Sequence, residues 1–130
     1  MVWIVDKFMT ADELQWGRFN ERCIAPLTGH KYASAYTFSD SCGGYGLVSY
    51  KTQVLHIDKE GWCVVTGLYS ATTSKHIGWF VREFIPHLTY YALKKVCLDN
   101  MKINIKTGEI KPLTDAEKWY CQAQWDNTDI

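Results

Sequence analysis

The chain has 130 residues, with 14 basic and 14 acidic side chains, and therefore carries no formal net charge. This balance excludes the large basic excess of proteins that coat nucleic acid, and equally the strong acidity of a nucleic-acid mimic. The length predicts one globular domain over residues 1–130, and a hydrophobic content of 47% is enough to build its core. An aromatic content of 15% favours a core rich in rings and is also typical of protein interfaces.

The cysteines and the N-terminus indicate where such a protein would work. The five cysteines form no CxxC pair and no Cys/His pair at metal-ligand spacing, being placed at Cys23, Cys42, Cys63, Cys97 and Cys121. We therefore expect no metal and no cofactor. The N-terminal residues lack the charged start of a signal peptide, and no apolar run has the length of a membrane span. These features predict a cytoplasmic protein with free thiols and no membrane partner.

A helix is the first predicted element. Thr10 and Glu13 form a capping box that would begin it, and Pro26 would end it. Its apolar face would hold Trp16, Phe19 and Cys23. Residues 30–46 have the composition of a strand or loop followed by a glycine-rich turn.

The strongest β signal comes next. Alternation of apolar and polar residues predicts one half-buried strand over 48–56. The run Asp58-Lys-Glu-Gly61 predicts a turn, and residues 62–66 then form the returning strand.

The clearest helix follows this hairpin. Ser70 or Thr72 would cap it, and Pro86 would end it. Its apolar face is predicted to hold Ile77, Phe80, Val81 and Phe84, with Thr73 inside that face and His76 at its border.

The last third of the chain predicts two more helices and a hairpin. Residues 88–98 are apolar nearly all round and predict a largely buried helix, and residues 101–113 predict a small hairpin. Thr114 and Glu117 form a second capping box, before a stripe of Ala116, Trp119, Tyr120 and Ala123. Because helices and strands occur in blocks, we expect an α+β domain whose antiparallel hairpins pack against three to four amphipathic helices.

No set of residues predicts catalysis, and we expect a protein that is not an enzyme. The sharpest alternative is Cys42, because the small residues around it in Asp40-Ser-Cys-Gly-Gly44 would expose a thiol. No histidine stands at a spacing that marks it as the base. Glycines in such a segment more often serve a turn. The run Gly43-Gly-Tyr-Gly46 lacks the lysine and hydroxyl residue of a phosphate-binding loop.

Two groups of residues are candidate binding sites. At the start of the strongest helix, hydroxyl groups and exposed backbone amides would favour an anion, and the same residues would otherwise cap the helix and pack at the core edge. This group comprises Ser70, Thr72, Thr73, Lys75 and His76, and Arg82 projects from the polar side of the same helix. The second group is a lysine-rich stretch between residues 88 and 113, either a basic patch or a solvated face, with Lys94, Lys95, Lys102 and Lys106 as its candidate contacts.

Residues 48–84 resemble a pattern in small uncharacterised proteins of phages, prophages and plasmids. In these proteins a strand that begins SYxT leads through a second strand to YSxTTxKHIxxF. The matching positions are Ser49, Tyr50, Thr52, Tyr69, Ser70, Thr72, Thr73, Lys75, His76, Ile77 and Phe80. The resemblance implies a mobile genetic element and no particular chemistry. By analogy, small phage proteins without a catalytic motif are often binders of host machinery, anti-CRISPR proteins among them.

Two hypotheses for function follow. The first is a phage-encoded protein that contacts a host or CRISPR-type effector protein in fixed stoichiometry and inhibits it, in the host cytoplasm. The second is a small nucleic-acid-binding module that uses the lysine-rich stretch with exposed aromatics such as Tyr90 and Tyr91. Salt dependence of binding separates them, because only phosphate contacts give a steep slope.

Overall fold

A computed structural model describes residues 24–26, 34–39, 43–50 and 52–126 of the chain. In these residues seven strands form one antiparallel sheet, in which each strand pairs with the next along the chain. The strands are β1 (Ile24–Pro26), β2 (Ala35–Ser39), β3 (Tyr45–Ser49), β4 (Thr52–Ile57), β5 (Trp62–Val65), β6 (Met101–Asn104) and β7 (Ile110–Pro112). The helices are α1 (Ala71–Phe84) and α2 (Tyr90–Leu98), which connect β5 to β6, and α3 (Asp115–Asp126), which follows β7. The predicted α+β class is confirmed.

One face of the sheet packs against α1 and α2. Its side chains come from two sets of paired residues, Leu47 with Leu55 and Val65, and Ile57 with Cys63 and Ile103. The helices contribute Ile77, Phe80 and Val81 from α1 and Leu93 and Val96 from α2 to the same buried cluster. Burial of each large side chain stabilises the fold by about 1.5–3 kcal/mol, so this face holds the two helices in place.

The single strand predicted over residues 48–56 is wrong. β3 ends at Ser49 and β4 begins at Thr52, and these two residues pair across a two-residue turn. A two-residue turn alone shifts the alternation of faces by one residue, but the register shift between Leu47 and Val48 shifts it back, so Leu47 and Leu55 lie on one face as they would in a single strand. Tyr50 begins the turn where asparagine or glycine is usual, so no turn signal marked the position. All residues of β4 are buried, which also contradicts the half-buried prediction.

The hairpin from β4 to β5 is confirmed. Asp58 Oδ1 accepts hydrogen bonds from the backbone amides of Glu60 and Trp62, at 2.9 and 3.0 Å. Gly61 closes the turn with a φ of +97°, a conformation that side chains rarely adopt. The predicted hairpin of β6 and β7 is confirmed as well.

The caps of α1 and α2 use local hydroxyl groups. Ser70 caps α1 and accepts a hydrogen bond from the Thr73 amide at 3.2 Å, so it is the right one of the two predicted caps. Thr89 caps α2 in the same way. The prediction that α2 is largely buried is wrong, because its buried residues are Leu93 and Val96 alone. A helix that covers one face of a sheet needs only one apolar side.

The capping box of α3 is confirmed, and its predicted apolar stripe is right at Tyr120 and wrong at Trp119. Glu117 donates its amide to Thr114 Oγ1 at 3.1 Å and accepts the Thr114 amide at 2.8 Å. Trp119 is exposed, whereas Tyr120 and Gln124 are the buried residues of the helix. The physical reason is that α3 is held to β4 by polar contacts, which are described below.

Several predictions fall outside the described residues. They include the helix from Thr10 with its face Trp16, Phe19 and Cys23, and the segment that contains Cys42. The predicted end of that helix at Pro26 is wrong, because Ile24–Pro26 form β1 and pair with β2. A single domain over residues 1–130 stays a prediction.

Candidate functional site

The end of β3 and the start of α1 meet in a set of polar side chains that we call the hairpin–helix cluster: Ser49, Ser70, Thr73 and His76. Ser49 Oγ lies 2.7 Å from His76 Nδ1 and 3.3 Å from Thr73 Oγ1. Ser70 Oγ also lies 3.3 Å from Thr73 Oγ1, in addition to its role as the cap of α1. The cluster therefore links the β3–β4 turn to the first two turns of the helix.

The Ser49–His76 contact pairs a hydroxyl with an imidazole, as nucleophilic catalysis would require. Both side chains, however, are only 2% exposed. A substrate would have no access to the hydroxyl in this conformation. The contact instead satisfies buried polar groups, and such groups would be costly without hydrogen bonds.

An aromatic surface lies directly on the cluster; we define it as Tyr50, Lys75 and Trp79. The centre of the His76 ring lies 5.8 Å from that of Tyr50 and 5.3 Å from that of Trp79, so the buried imidazole contacts both aromatic rings. Lys75 Nζ lies 5.8 Å from the centre of the Trp79 ring. Cation–π contacts of this kind hold a lysine close to the ring without neutralising its charge.

Tyr50 is the most exposed ring of this surface and has the least common backbone. It is 57% exposed and has a φ of +56°, in the left-handed region that costs an L-residue about 1–2 kcal/mol. Its amide donates to the Ser34 carbonyl at 2.7 Å, which fixes the turn. The fold therefore holds the backbone of a residue with a large exposed ring in a left-handed conformation, at a cost in stability.

The residues predicted to bind an anion at the start of α1 are brought together, but most already have protein contacts. Ser70, Thr73 and His76 belong to the hairpin–helix cluster, and Lys75 covers Trp79. Thr72 is exposed beside them, whereas Arg82 lies in the last turn of the helix. Anion binding by this group stays a prediction.

The lysines of the lysine-rich stretch lie on different elements. Lys94 and Lys95 are exposed on α2, and Lys95 pairs with Asp99 at 3.3 Å. Lys102 on β6 pairs with Glu117 at 2.9 Å, and Lys106 donates to the Lys59 carbonyl at 3.1 Å. Three of the four predicted contact residues thus bond within the protein. Binding of nucleic acid by them stays a prediction.

Trp62 has two lysines over its ring. Lys102 Nζ lies 5.2 Å from its centre and Lys111 Nζ lies 4.7 Å from it. The pairing of β5 with β6 and of β6 with β7 places these residues side by side. The lysines therefore cover the indole instead of leaving it open to stack on a base.

A second polar network, which the sequence did not predict, anchors α3 to the sheet. The backbone amide of Gln53 donates to Gln124 Oε1 at 3.1 Å, and the hydroxyl of Tyr120 donates to the side-chain oxygen Oε1 of Gln53. Thr66 Oγ1 donates to the backbone carbonyl of Gln53 at 2.7 Å and lies 2.7 Å from the Tyr69 hydroxyl. Burial raises the pKa of Tyr69 and Tyr120, so both phenols stay protonated and are available as donors. No local spacing links residues this far apart in the chain.

The described thiols are Cys63, Cys97 and Cys121. Burial raises the pKa of the Cys97 thiol to about 11 and that of the Cys121 thiol to about 12. It also raises the pKa of Cys63, which is fully buried. Thiols that stay protonated at neutral pH are poor nucleophiles.

Within residues 24–26, 34–39, 43–50 and 52–126, no group of three or more His, Cys, Asp or Glu side chains is placed to hold a metal ion. Over the same residues, no helix has the length and apolar character needed to cross a bilayer.

Comparison with known families identifies a match to this chain. A family of unknown function, DUF8033, matches residues 19–101. The chain belongs to DUF8033. No curated protein and no solved structure matches it.

The part of the chain that matches DUF8033 contains the whole hairpin–helix cluster and the aromatic surface. It extends from before β1 to the first residue of β6, so β7 and α3 lie beyond it. The SYxT and YSxTTxKHI segments also lie inside the match. In this member of DUF8033 the two segments are in contact, because Ser49 from the first bonds to His76 from the second.

Proposed function

We propose that this member of DUF8033 is a non-enzymatic binding protein, encoded by a phage or another mobile element, that inhibits a host defence complex through stoichiometric contact with a protein. The observation that carries the proposal is Tyr50, an exposed aromatic ring on a strained, fixed turn. Binding energy at protein interfaces is concentrated in a few residues, among which tyrosine, tryptophan and arginine are enriched.

The turn at Tyr50 would cost less with asparagine or glycine, since both adopt a positive φ more readily than tyrosine. A backbone held in a sparsely populated region supports a hypothesis of function, because the surrounding structure must maintain it against its cost. Here the turn is maintained by the bond from the Tyr50 amide to the Ser34 carbonyl and by the Ser49–His76 contact of the hairpin–helix cluster. Because the backbone at Tyr50 is already fixed, the turn loses little conformational entropy on binding.

The target class rests on analogy. The SYxT…YSxTTxKHIxxF pattern resembles proteins of phages, prophages and plasmids, and small phage proteins without catalytic motifs often act on host defence. Zero net charge argues against mimicry of DNA. Inhibition would then occur by contact with one surface of the effector, by locking a conformation or by hindering its assembly.

The test is photo-crosslinking at Tyr50. The tyrosine is replaced by a photoreactive benzoyl-phenylalanine, and the protein is expressed in host cells with an active defence system. Tyr91 is the matched control, because it is a tyrosine on α2 with 75% exposure. We expect position 50 to crosslink to one subunit of the defence complex and position 91 to crosslink to none.

The affinity for the identified subunit is then measured for two variants. Tyr50→Asn should weaken it about tenfold or more, and Tyr91→Ala should leave it unchanged. Equal loss in both variants, or no specific crosslink at position 50, contradicts the proposal. A steep dependence of binding on salt, with crosslinks to nucleic acid, would instead support the nucleic-acid-binding module.

A further inference from the structure

A cleft of about 490 Å³ lies between α3 and the sheet, and we call it the α3 cleft. Val65 and Thr66 contribute from the end of β5, Cys97 from α2, and Leu113 from the link between β7 and α3. Cys121 and Trp125 contribute from α3 itself. The volume falls within the range of about 300–1,000 Å³ that is typical of small-molecule sites.

The walls of the α3 cleft are fixed by contacts behind them. Thr66 bonds to the backbone of Gln53 and to Tyr69, and the Tyr69 ring stacks on Trp125 at 5.1 Å. Tyr120 holds α3 to Gln53 on its buried side. A site whose walls are already ordered loses little entropy on binding a ligand.

The charge of the lining is one-sided. Among the nine described residues that line the cleft, only Lys118 is charged and none is a carboxylate. Lys118 makes no ion pair with any residue that the structure describes. The cleft therefore offers one available cation to a ligand.

The rest of the lining combines apolar surface with a few polar groups. Trp125, Val65 and Leu113 are apolar, and the thiols of Cys97 and Cys121 behave as small apolar groups while they are protonated. Asn100 and Gln122 add amide groups that form hydrogen bonds. An indole beside aliphatic side chains favours a flat, aromatic ligand.

We propose that the α3 cleft binds a small aromatic carboxylate, whose ring lies against Trp125 and whose carboxylate pairs with Lys118. This site goes beyond the protein-binding function and does not depend on Tyr50. Lys118 is itself exposed, so its pair with a carboxylate adds a modest part of the affinity to the contact with Trp125. Selectivity for an anion over a neutral compound of the same shape is therefore the property to test.

The test uses 1-naphthoate as the anionic probe and 1-naphthylmethanol as a neutral compound of similar shape. Both are titrated to millimolar concentration at pH 9 while the thiols are alkylated with iodoacetamide and quantified by peptide mass spectrometry, because at neutral pH the raised pKa values of Cys97 and Cys121 leave too little thiolate to react. Cys97 and Cys121 line the cleft, so a bound ligand should slow their alkylation, whereas Cys63 is buried in the core and serves as an internal reference. We expect saturable protection by 1-naphthoate at a concentration about threefold lower than for the alcohol.

Variants at Lys118 test the charge. Lys118→Met should weaken 1-naphthoate about threefold, and Lys118→Arg should preserve binding because it keeps the charge. Lys59→Met is the matched control, since Lys59 is an exposed lysine in the β4–β5 turn that does not line the cleft. Absence of protection at millimolar 1-naphthoate, equal protection by the two probes, or binding unaffected by Lys118→Met would each overturn the proposal.

Discussion

Ser49 Oγ and His76 Nδ1 lie 2.7 Å apart, and the contact joins residues that are 27 positions apart in the chain. Its position determines what surrounds it: the next residue after Ser49 is the exposed Tyr50, and the helix residue three positions after His76 is Trp79. The aromatic surface thus lies next to this buried hydrogen bond. Loss of that bond should lower the free energy of unfolding, because both of its partners are buried.

Ser49→Ala tests the contribution of this bond to stability. The variant removes the hydroxyl that the imidazole of His76 contacts in the core, and we expect the free energy of unfolding to fall by about 1–3 kcal/mol. Urea unfolding followed by circular dichroism measures the change. Ser39→Ala is the control, because Ser39 ends β2 in an exposed position and its loss should cost less than about 0.5 kcal/mol. Equal costs for the two variants would contradict the role of the cluster.

Tyr50→Asn separates stability from binding. Asparagine adopts a positive φ with little strain, which recovers about 1 kcal/mol, but the variant loses the contact between the ring and His76, worth about as much. We therefore expect the free energy of unfolding to change by less than about 1 kcal/mol. Tyr50→Val, a β-branched residue at the same φ, should destabilise the fold by more than that. Urea unfolding of both variants checks the order, and a Tyr50→Val protein as stable as the Tyr50→Asn protein would contradict it.

The caps were predictable from the sequence, and the two buried networks were not. Ser70 bonds to the backbone amide of Thr73, and Thr114 and Glu117 bond to each other. In both caps the partners are three positions apart in the chain, a spacing that the sequence shows directly. The Ser49–His76 bond instead depends on how a turn docks on a helix. Nothing in the spacing of these two residues predicts that docking.

The turn at Tyr50 and the burial of α3 show the same limit. A tyrosine at positive φ contradicts local preference, and only tertiary contacts maintain it. In α3 the apolar pattern predicted that Trp119 would face the core. Gln124 is buried instead, and its side chain accepts a hydrogen bond from the backbone amide of Gln53. Sequence periodicity assumes that burial is apolar, and this helix is anchored by polar groups.

The ion pair of Lys102 with Glu117 is expected to stabilise α3 more than a surface pair would. The two side chains are only 14% and 19% exposed, and Glu117 also closes the capping box. Glu117→Gln keeps an acceptor for the Thr114 amide but removes the charge, and should lower the free energy of unfolding by about 1–3 kcal/mol. Glu109→Gln is the control, because its pair with Lys111 at 3.8 Å is open to solvent and contributes at most about 0.5 kcal/mol. Thermal unfolding of both variants provides the comparison, and equal shifts would contradict this assignment.

Stability should decline in alkaline solution because of the thiols near α3. In the unfolded chain a thiol loses its proton near its ordinary pKa of 9.0, whereas the folded protein keeps the protons of Cys97 and Cys121 up to about 11 and 12. Between these values the unfolded state binds fewer protons, so the free energy of unfolding falls as pH rises above 9. Urea midpoints measured across this range should fall less steeply in the Cys97→Ala, Cys121→Ala double variant. An identical slope would show that the thiols do not cause the decline.

Tyr120→Phe isolates the polar anchor of α3, because it deletes one hydroxyl and leaves the buried ring in place. The variant leaves Gln53 Oε1 without its phenol donor in a buried position, so we expect a loss of about 1–3 kcal/mol. Tyr91→Phe on the exposed side of α2 is the control, with an expected change near zero. Because the contacts of Gln53, Tyr69 and Thr66 lie behind the α3 cleft, hydrogen exchange of the α3 amides should also become faster in Tyr120→Phe. Unchanged exchange in α3 would mean that its apolar contacts, and not this network, hold the helix against the sheet.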